Sequence, residues 1–355
     1  MSEAESSFVI GDVTVARGER AFVALPVSQT LSGISANLML EVIHGARPGK
    51  VVFVSGAIHG DEIVGTAIIQ RLVAAITPDK LAGTLILAPA VNIYGLIGHS
   101  RYLPDRRDLN RSFPGSARGS LASQLAHCFL ENVIKRADLG IDLHTAAVHR
   151  YNLPQVRIAE GDPYLMELAM AFGAPVIVES PLRDGSMRAL AGKLGVPMLL
   201  LEAGEALRFD RLSMDVGTQG ILRTLAHIGL VDAGMTISSI GTPARTRRTS
   251  WVRAPRGGVT HRHRKSGDIV RKGDVLAHVG GVFGENPLDL VSPIDGIVIG
   301  HATLPVVHQG DALFHIAAID QLEDTSRHID ALNEATYAPD SPAEGGAMLD
   351  EDEVI

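Results

Sequence analysis

Val51-Val-Phe-Val-Ser-Gly-Ala-Ile-His59-Gly-Asp-Glu62-Ile63 is the stretch that decides how this 355-residue chain is read. Its first four residues form the short apolar run expected of a strand buried on both faces. Gly56 and Gly60 punctuate the run. From Asp61 the pattern turns helical, with Ile63, Ala67, Ile68, Leu72 and Val73 apolar. The spacing predicts a strand, His59 at its carboxyl end, and Glu62 in the first turn of the next helix. In open α/β sheets that strand edge is where ligands bind. His-x-x-Glu alone is a weak signal, because among 14 histidines about one such match arises by chance. A polar turn with Glu62 as a helix-start acid explains it as well.

A second run, Leu139-Gly-Ile-Asp142-Leu-His144-Thr, again leads from a buried-looking strand to a histidine, with an acid two residues earlier. Alone, His144 would read as a satisfied core histidine. Together, His59, Glu62 and His144 are two histidines and a carboxylate without cysteine. That is the ligand set of a catalytic zinc site, which keeps a fourth position for water.

Between the two runs, Gly98 to Gly115 is dense in Arg, Asp and Asn and closes with Pro-Gly, so it reads as a long loop. Its arginines offer planar forks of donors suited to a carboxylate, and Asn110 adds a neutral partner. A solvated loop laced with surface ion pairs is the plainer alternative. After His144, Ser186 caps a short helical pattern, Met187 to Leu194, which Gly195 stops. Val196-Pro-Met-Leu-Leu-Leu201 is another buried strand, and Glu202 stands at its end. An acid there is placed for a general base, whose pKa burial would raise toward working pH. Glu205 is the rival, one turn further into the loop.

In this order the motifs resemble the succinylglutamate desuccinylase/aspartoacylase family, a branch of the zinc carboxypeptidase-like hydrolases. They are Gly56-x-x-His59-Gly-x-Glu62, Asp108-Leu-Asn110-Arg111-x-Phe-Pro-Gly115, Asp142-Leu-His144 and Leu201-Glu202-x-Gly204, and the resemblance spans roughly residues 40 to 320. It is nearest to the bacterial predicted-deacylase subgroup. The resemblance implies one zinc per chain on His59, Glu62 and His144, with Glu202 as base and then acid. It also implies a carboxylate clamp of Asn110 and Arg111. Arg101 is similar to the family's carbonyl-polarising arginine, with Arg106 and Arg107 as rivals. The implied activity is hydrolysis of the amide of a small N-acylated amino acid or amine. A peptide-cleaving metallocarboxypeptidase and a non-catalytic metal-binding partner protein are the competing readings.

The expected fold is α/β: a mixed sheet flanked by helices over residues 1–240, the first seven poorly ordered. Upstream of about 240, strands alternate with helical stretches such as 66–76, 122–134 and 163–172. Downstream, short strands sit between Gly/Asp turns. Gly267-Asp-Ile-Val-Arg-Lys-Gly-Asp-Val-Leu276 resembles the barrel-sandwich hybrid of biotinyl and lipoyl carriers, so 241–320 is expected to be a small all-β domain. Gly284-Glu-Asn-Pro287 lacks the carrier lysine, so the domain is read as a rim over the site or a dimerisation surface. Its histidines do not cluster as a second metal site would. From about Gln321 the chain is acidic and is expected to be poorly ordered.

With 46% hydrophobic residues the chain can bury a sizeable core, and its net charge is -8. A basic cluster at 244–272 sits in strand-like turns with few aromatics, which favours a solvated face over a nucleic-acid surface. The single cysteine, Cys128, excludes a disulfide framework and is expected in the core of a helix. With no 18-residue apolar run and no charged-then-apolar start, no membrane span or signal peptide is expected, and the protein is read as cytoplasmic.

Overall fold

The computed structural model describes residues 7–29, 35–239 and 241–337. Its centre is a mixed sheet, thirteen-stranded among the described residues. Strands Ala82–Ala88, Arg47–Gly56, Leu139–Ala146 and Met198–Glu205 lie side by side and parallel. Beyond Ala82–Ala88 the antiparallel pair Ser35–His44 and Glu19–Gln29 completes one edge. On the other side Arg150–Ile158 runs antiparallel to Met198–Glu205.

The apolar run at 51–54 has the cause its sequence suggested. Val52 and Val54 pack with Ile68, Leu72, Leu201 and Ile221 on one face, under helices Val64–Ala75, Pro163–Phe172 and Arg211–His227. Phe53 points to the opposite face, where it meets Phe129 of helix Leu121–Asn132 edge-on at 5.7 Å. A strand covered on both faces has no polar side to show, so alternation disappears. Each such side chain contributes roughly 1.5–3 kcal/mol by leaving water. Gly140 keeps the neighbouring strand close: a Cβ there would lie 2.4 Å from the Phe53 ring.

The later strands are not set apart from this sheet. Gly296–Ala302 pairs with Arg150–Ile158, placing Gly300 beside Asn152, and Ala312–Ala317 and Thr249–Arg253 follow outward. A separate antiparallel sheet of four strands, with Val275–Gly280 and Gly258–Arg262 at its centre, packs nearby. The fold is therefore the expected mixed α/β sheet flanked by helices, with antiparallel sheets toward the C-terminus.

Two expectations are corrected. Leu322–Tyr337, read as part of a poorly ordered acidic tail, is a helix that buries Leu322, Thr325, His328 and Ile329. These side chains recur every three or four residues, and Leu322 and Ile329 join Leu153, Ile297 and Ile299 in an apolar cluster. That stripe outweighs the acidity of the outer face. Residues 338–355 and 1–6 lie outside the described residues. Cys128 sits on its helix half-buried rather than in the core, because the stripe of Leu125, Ala126 and Phe129 faces inward instead. No described helix is long and apolar enough to cross a membrane.

Candidate active site

The strand Arg47–Gly56 ends at Gly56, and the next residues turn before helix Val64–Ala75 begins. The Glu62 N–H donates to the His59 carbonyl at 3.0 Å and closes that turn. Glu62 thus precedes the helix by two residues instead of lying in its first turn. From the turn its carboxylate reaches back across the strand ends to both histidines. Gly60 makes the turn feasible, since a Cβ on it would lie 1.9 Å from the backbone of Gly95. Gly60→Ala must therefore displace the chain between the two side chains. It is expected to weaken any divalent-metal binding at this group by about 10–100-fold, the range seen when supporting contacts of ligands are lost. Competition against a chromogenic chelator measures this, and unchanged affinity would contradict it.

His144 lies within its strand, Leu139–Ala146, one strand over. His59 Nδ1 and His144 Nδ1 each approach one Glu62 oxygen at 2.8 Å, and the three side chains are 3–5% exposed. Their ligand atoms lie within 4.8 Å of one another, and among the described residues this is the one group of three or more His, Cys, Asp or Glu side chains so placed that it could hold a metal ion. The outer nitrogens are supported as well. His144 Nε2 is 2.8 Å from Asp142 Oδ2, and Asp142 Oδ1 accepts from Ser55 Oγ at 2.7 Å. His59 Nε2 is 3.3 Å from Asp108 Oδ1. A carboxylate on the far nitrogen fixes tautomer and ring orientation, as metal-binding histidines require. The residues thus fit a divalent cation with zinc's preferences.

The charges are strongly coupled. Burial alone would raise the Glu62 pKa, but His59 and His144 hold it well below the ordinary range. Burial would lower that of His144, yet Asp142 and Glu62 hold it well above. Asp108 is likewise held low against its burial, by His59 and Arg101.

All seven candidate residues line one cavity of about 250 Å³: His59, Glu62, His144, Arg101, Asn110, Arg111 and Glu202. Arg101 donates to Glu62 Oε1 at 3.2 Å and to Asp108 Oδ2 at 3.0 Å. Its rivals do not reach the cavity: Arg106 and Arg107 are exposed, and Arg107 Nε lies 3.7 Å from Asp105. Asn110 is held by its Oδ1, which accepts the Met187 N–H at 2.9 Å, so the capped helix at 187 fastens the loop. Glu202 stands beside His144 in the parallel register. Its Oε2 accepts from Asn152 Nδ2 at 2.9 Å. Glu205 is outside the lining, accepting from the His149 N–H at 3.0 Å and Thr303 Oγ1 at 3.3 Å.

Sequence reasoning missed part of the lining: Asn152, Arg157, Arg188 and, from the later strands, Trp251, Gly300 and His301. The basic cluster at 244–272 is spent partly on local bonds, Arg247 to Glu179 at 2.9 Å and Arg262 to the Ala302 carbonyl at 2.8 Å.

Fold and site together define a mixed α/β protein with a buried His-Glu-His centre at the carboxyl ends of parallel strands. More narrowly, the chain belongs to the succinylglutamate desuccinylase/aspartoacylase family, whose catalytic domain matches residues 48–228. It is 25% identical over 316 residues to N-alpha-acetyl-L-2,4-diaminobutyric acid deacetylase of Halomonas elongata, covering 85% of this chain and 92% of that protein. A succinylglutamate desuccinylase/aspartoacylase from Rhodobacter sphaeroides is similar in structure with a TM-score of 0.74 and 29% identity, over 85% of this chain and 95% of that one. The product-bound ectoine utilization protein EutE (DoeB) of Ruegeria pomeroyi gives 0.75 and 25%, over 84% and 94%. The family consists of deacylases acting on N-acyl amino acids.

Proposed function

We propose that this chain is a zinc-dependent amidohydrolase of the cytoplasm that releases a small acyl group from an N-acylated amino acid or related amine. The observation that carries the reading is the meeting of His59, Glu62, His144, Arg101, Asn110, Arg111 and Glu202 around one cavity. Zinc on the first three would supply Lewis acidity, lowering the pKa of the attacking water to about 7. Glu202 takes the proton of that water and returns it to the departing amine. Arg101 donates to the oxyanion that develops on the carbonyl oxygen, a contact whose loss typically costs about 3 kcal/mol. Arg111, steadied by the Asn110 loop, holds the substrate carboxylate. The product pair is a carboxylic acid and a free amino acid or amine.

The size of the cavity supports a small substrate over a polypeptide, since about 250 Å³ is below the usual range of ligand pockets. The later strands supply part of its lining, Trp251, His301 and Ala312. The name of the Halomonas relative supports acetyl among the acyl groups to be tried first.

The reading is tested by primary-amine release from N-acetyl, N-succinyl and longer N-acyl amino acids. Release from one or a few members is expected. Cleavage of dipeptides with silence on the acyl panel would instead favour the metallocarboxypeptidase reading. Arg111→Ala is expected to raise KM for acidic substrates about tenfold or more, one charge-assisted pair being worth roughly 1.5–3 kcal/mol. An unchanged KM would remove Arg111 from the clamp.

A further inference from the structure

A second cavity, of about 540 Å³, shares no lining residue with the catalytic one. It lies between helices Val64–Ala75, Arg211–His227 and Leu322–Tyr337 and the turn at Gly173. Its size falls within the usual range of small-molecule sites. Helix Arg211–His227 turns a polar stripe toward it: Arg211, Asp215, Gln219 and Arg223 recur every four residues, with Thr218 beside them. Asp215 is the one acid of that lining among the described residues, and Arg71 already donates to its Oδ1 at 2.8 Å.

Two polar groups there lack what their chemistry calls for. Thr218 is 8% exposed, and its Oγ1 is buried with no hydrogen-bond partner. A threonine inside a helix can return its hydroxyl to the carbonyl four residues back. Thr224 on the same helix does so, donating to the Gly220 carbonyl at 2.8 Å. Thr218 does not, and a buried hydroxyl left alone calls for an explanation. Arg223 donates to the Phe172 carbonyl through Nε at 3.0 Å and to the Ile237 carbonyl through Nη1 at 3.2 Å. These partners are neutral, and burial, with no acid to oppose it, pulls the Arg223 pKa down. The wall beside Arg223 is fixed and apolar. The Ile237 N–H donates to Gln219 Oε1 at 3.1 Å, and its side chain, 64% exposed, shares the lining with Val216 and Leu332. A carboxylate carried on an apolar body answers all of this. It brings an acceptor to the hydroxyl and counter-charge to the guanidinium, while its body covers the apolar wall.

We propose that this cavity is a second binding site, for a small amphiphilic anion whose carboxylate meets Thr218 and Arg223 and whose apolar body lies on Ile237 and Leu332. The assignment stands on these residues alone and holds whether or not the chain is a deacylase.

Binding tests the site without turnover. Zinc-loaded full-length protein is titrated calorimetrically with hexanoate, hexan-1-ol and hexylammonium, probes alike in body and different in head. Hexanoate is expected to bind about tenfold tighter than hexan-1-ol, the worth of one charge-assisted contact, with hexylammonium weakest. Thr218→Val removes a donor and Ile237→Asp sets a like charge at the wall, and each should weaken hexanoate binding about tenfold. Thr218→Ser should keep most of the affinity. Arg111→Ala, in the catalytic cavity, should leave this binding in place. Loss of hexanoate binding in Arg111→Ala assigns the probe to the catalytic cavity and overturns the proposal. Equal affinity for hexanoate and hexan-1-ol overturns it too, as does an affinity that neither Thr218→Val nor Ile237→Asp changes. Silence of the unaltered protein toward all three probes has the same meaning. If Thr218→Val does not fold, Ile237→Asp decides, because that side chain is exposed.

Discussion

Glu202→Gln is expected to lower amine release by about 10²–10⁴-fold, the usual contribution of a positioned acid–base group, while zinc content stays unchanged. The substitution removes one proton-accepting oxygen and the carboxylate charge while keeping the shape of the side chain. Glutamine has the same length, and its amide oxygen can still accept from Asn152, which now donates to Glu202 Oε2 at 2.9 Å. Glu202 is not among the three residues whose atoms converge for a metal, so metal affinity has no reason to fall. What changes besides the base is the charge facing Arg157 and Arg188, so a melting curve belongs with the assay. Metal analysis and turnover on the best N-acyl substrate decide the matter. Retained turnover would move the base to Glu205, although that carboxylate already accepts from His149 and Thr303 outside the cavity.

The grouping of His59, Glu62 and His144 near the carboxyl side of the sheet was legible from sequence because it depends on short-range pattern. An apolar run followed by a histidine marks a strand and its carboxyl side whatever the sheet order, although His144 lies inside Leu139–Ala146 and not, as its sequence suggested, just after it. The Asn110 and Arg111 loop was legible for the same reason, through its density of polar residues and its Pro-Gly close. Arg157 was not. In Leu153-Pro-Gln-Val-Arg157-Ile it reads as an ordinary polar residue of a strand. It becomes a cavity residue because Arg150–Ile158 lies beside Met198–Glu205, a pairing that no local feature announces. The wall from Trp251 and Gly300 was hidden in the same way, since the contact of Gly300 with Asn152 joins positions almost 150 residues apart. The change of texture near residue 240 marked the short strands that follow, from Ala244–Thr246 to Ala312–Ala317. It could not show that strand Gly296–Ala302 continues the central sheet. The helix at 322–337 was missed because its acidic outer face dominated the reading, while its inner stripe contains Thr325 and His328 beside Leu322 and Ile329.

Removing zinc with a chelator is expected to abolish amine release and to lower the melting temperature by about 5–10 °C, and restoring zinc should reverse both. The size of the shift follows from linkage. A metal present at about 100 times its Kd adds roughly 2.7 kcal/mol to the folded state. Each kcal/mol moves the midpoint of a large domain by about 2–4 °C. The sign follows from the site itself. Glu62 is 3% exposed, so its carboxylate needs positive charge nearby to remain ionised. Without metal, Arg101 at 3.2 Å supplies part of that charge, and the rest comes from protons on His59 and His144, whose rings sit in the same low-dielectric environment and lose hydration by taking them. A divalent cation replaces two such charges at once and lets both imidazoles stay neutral, with Asp142 2.8 Å from His144 Nε2 and Asp108 3.3 Å from His59 Nε2. Scanning fluorimetry and the amine assay on the same stripped and reloaded samples would show this, with residual metal measured in each. Full turnover in protein that retains far less than one zinc per chain would sink the metal assignment. A thermal shift without any turnover would leave zinc structural, and with it the reading of this chain as a non-catalytic metal-binding protein.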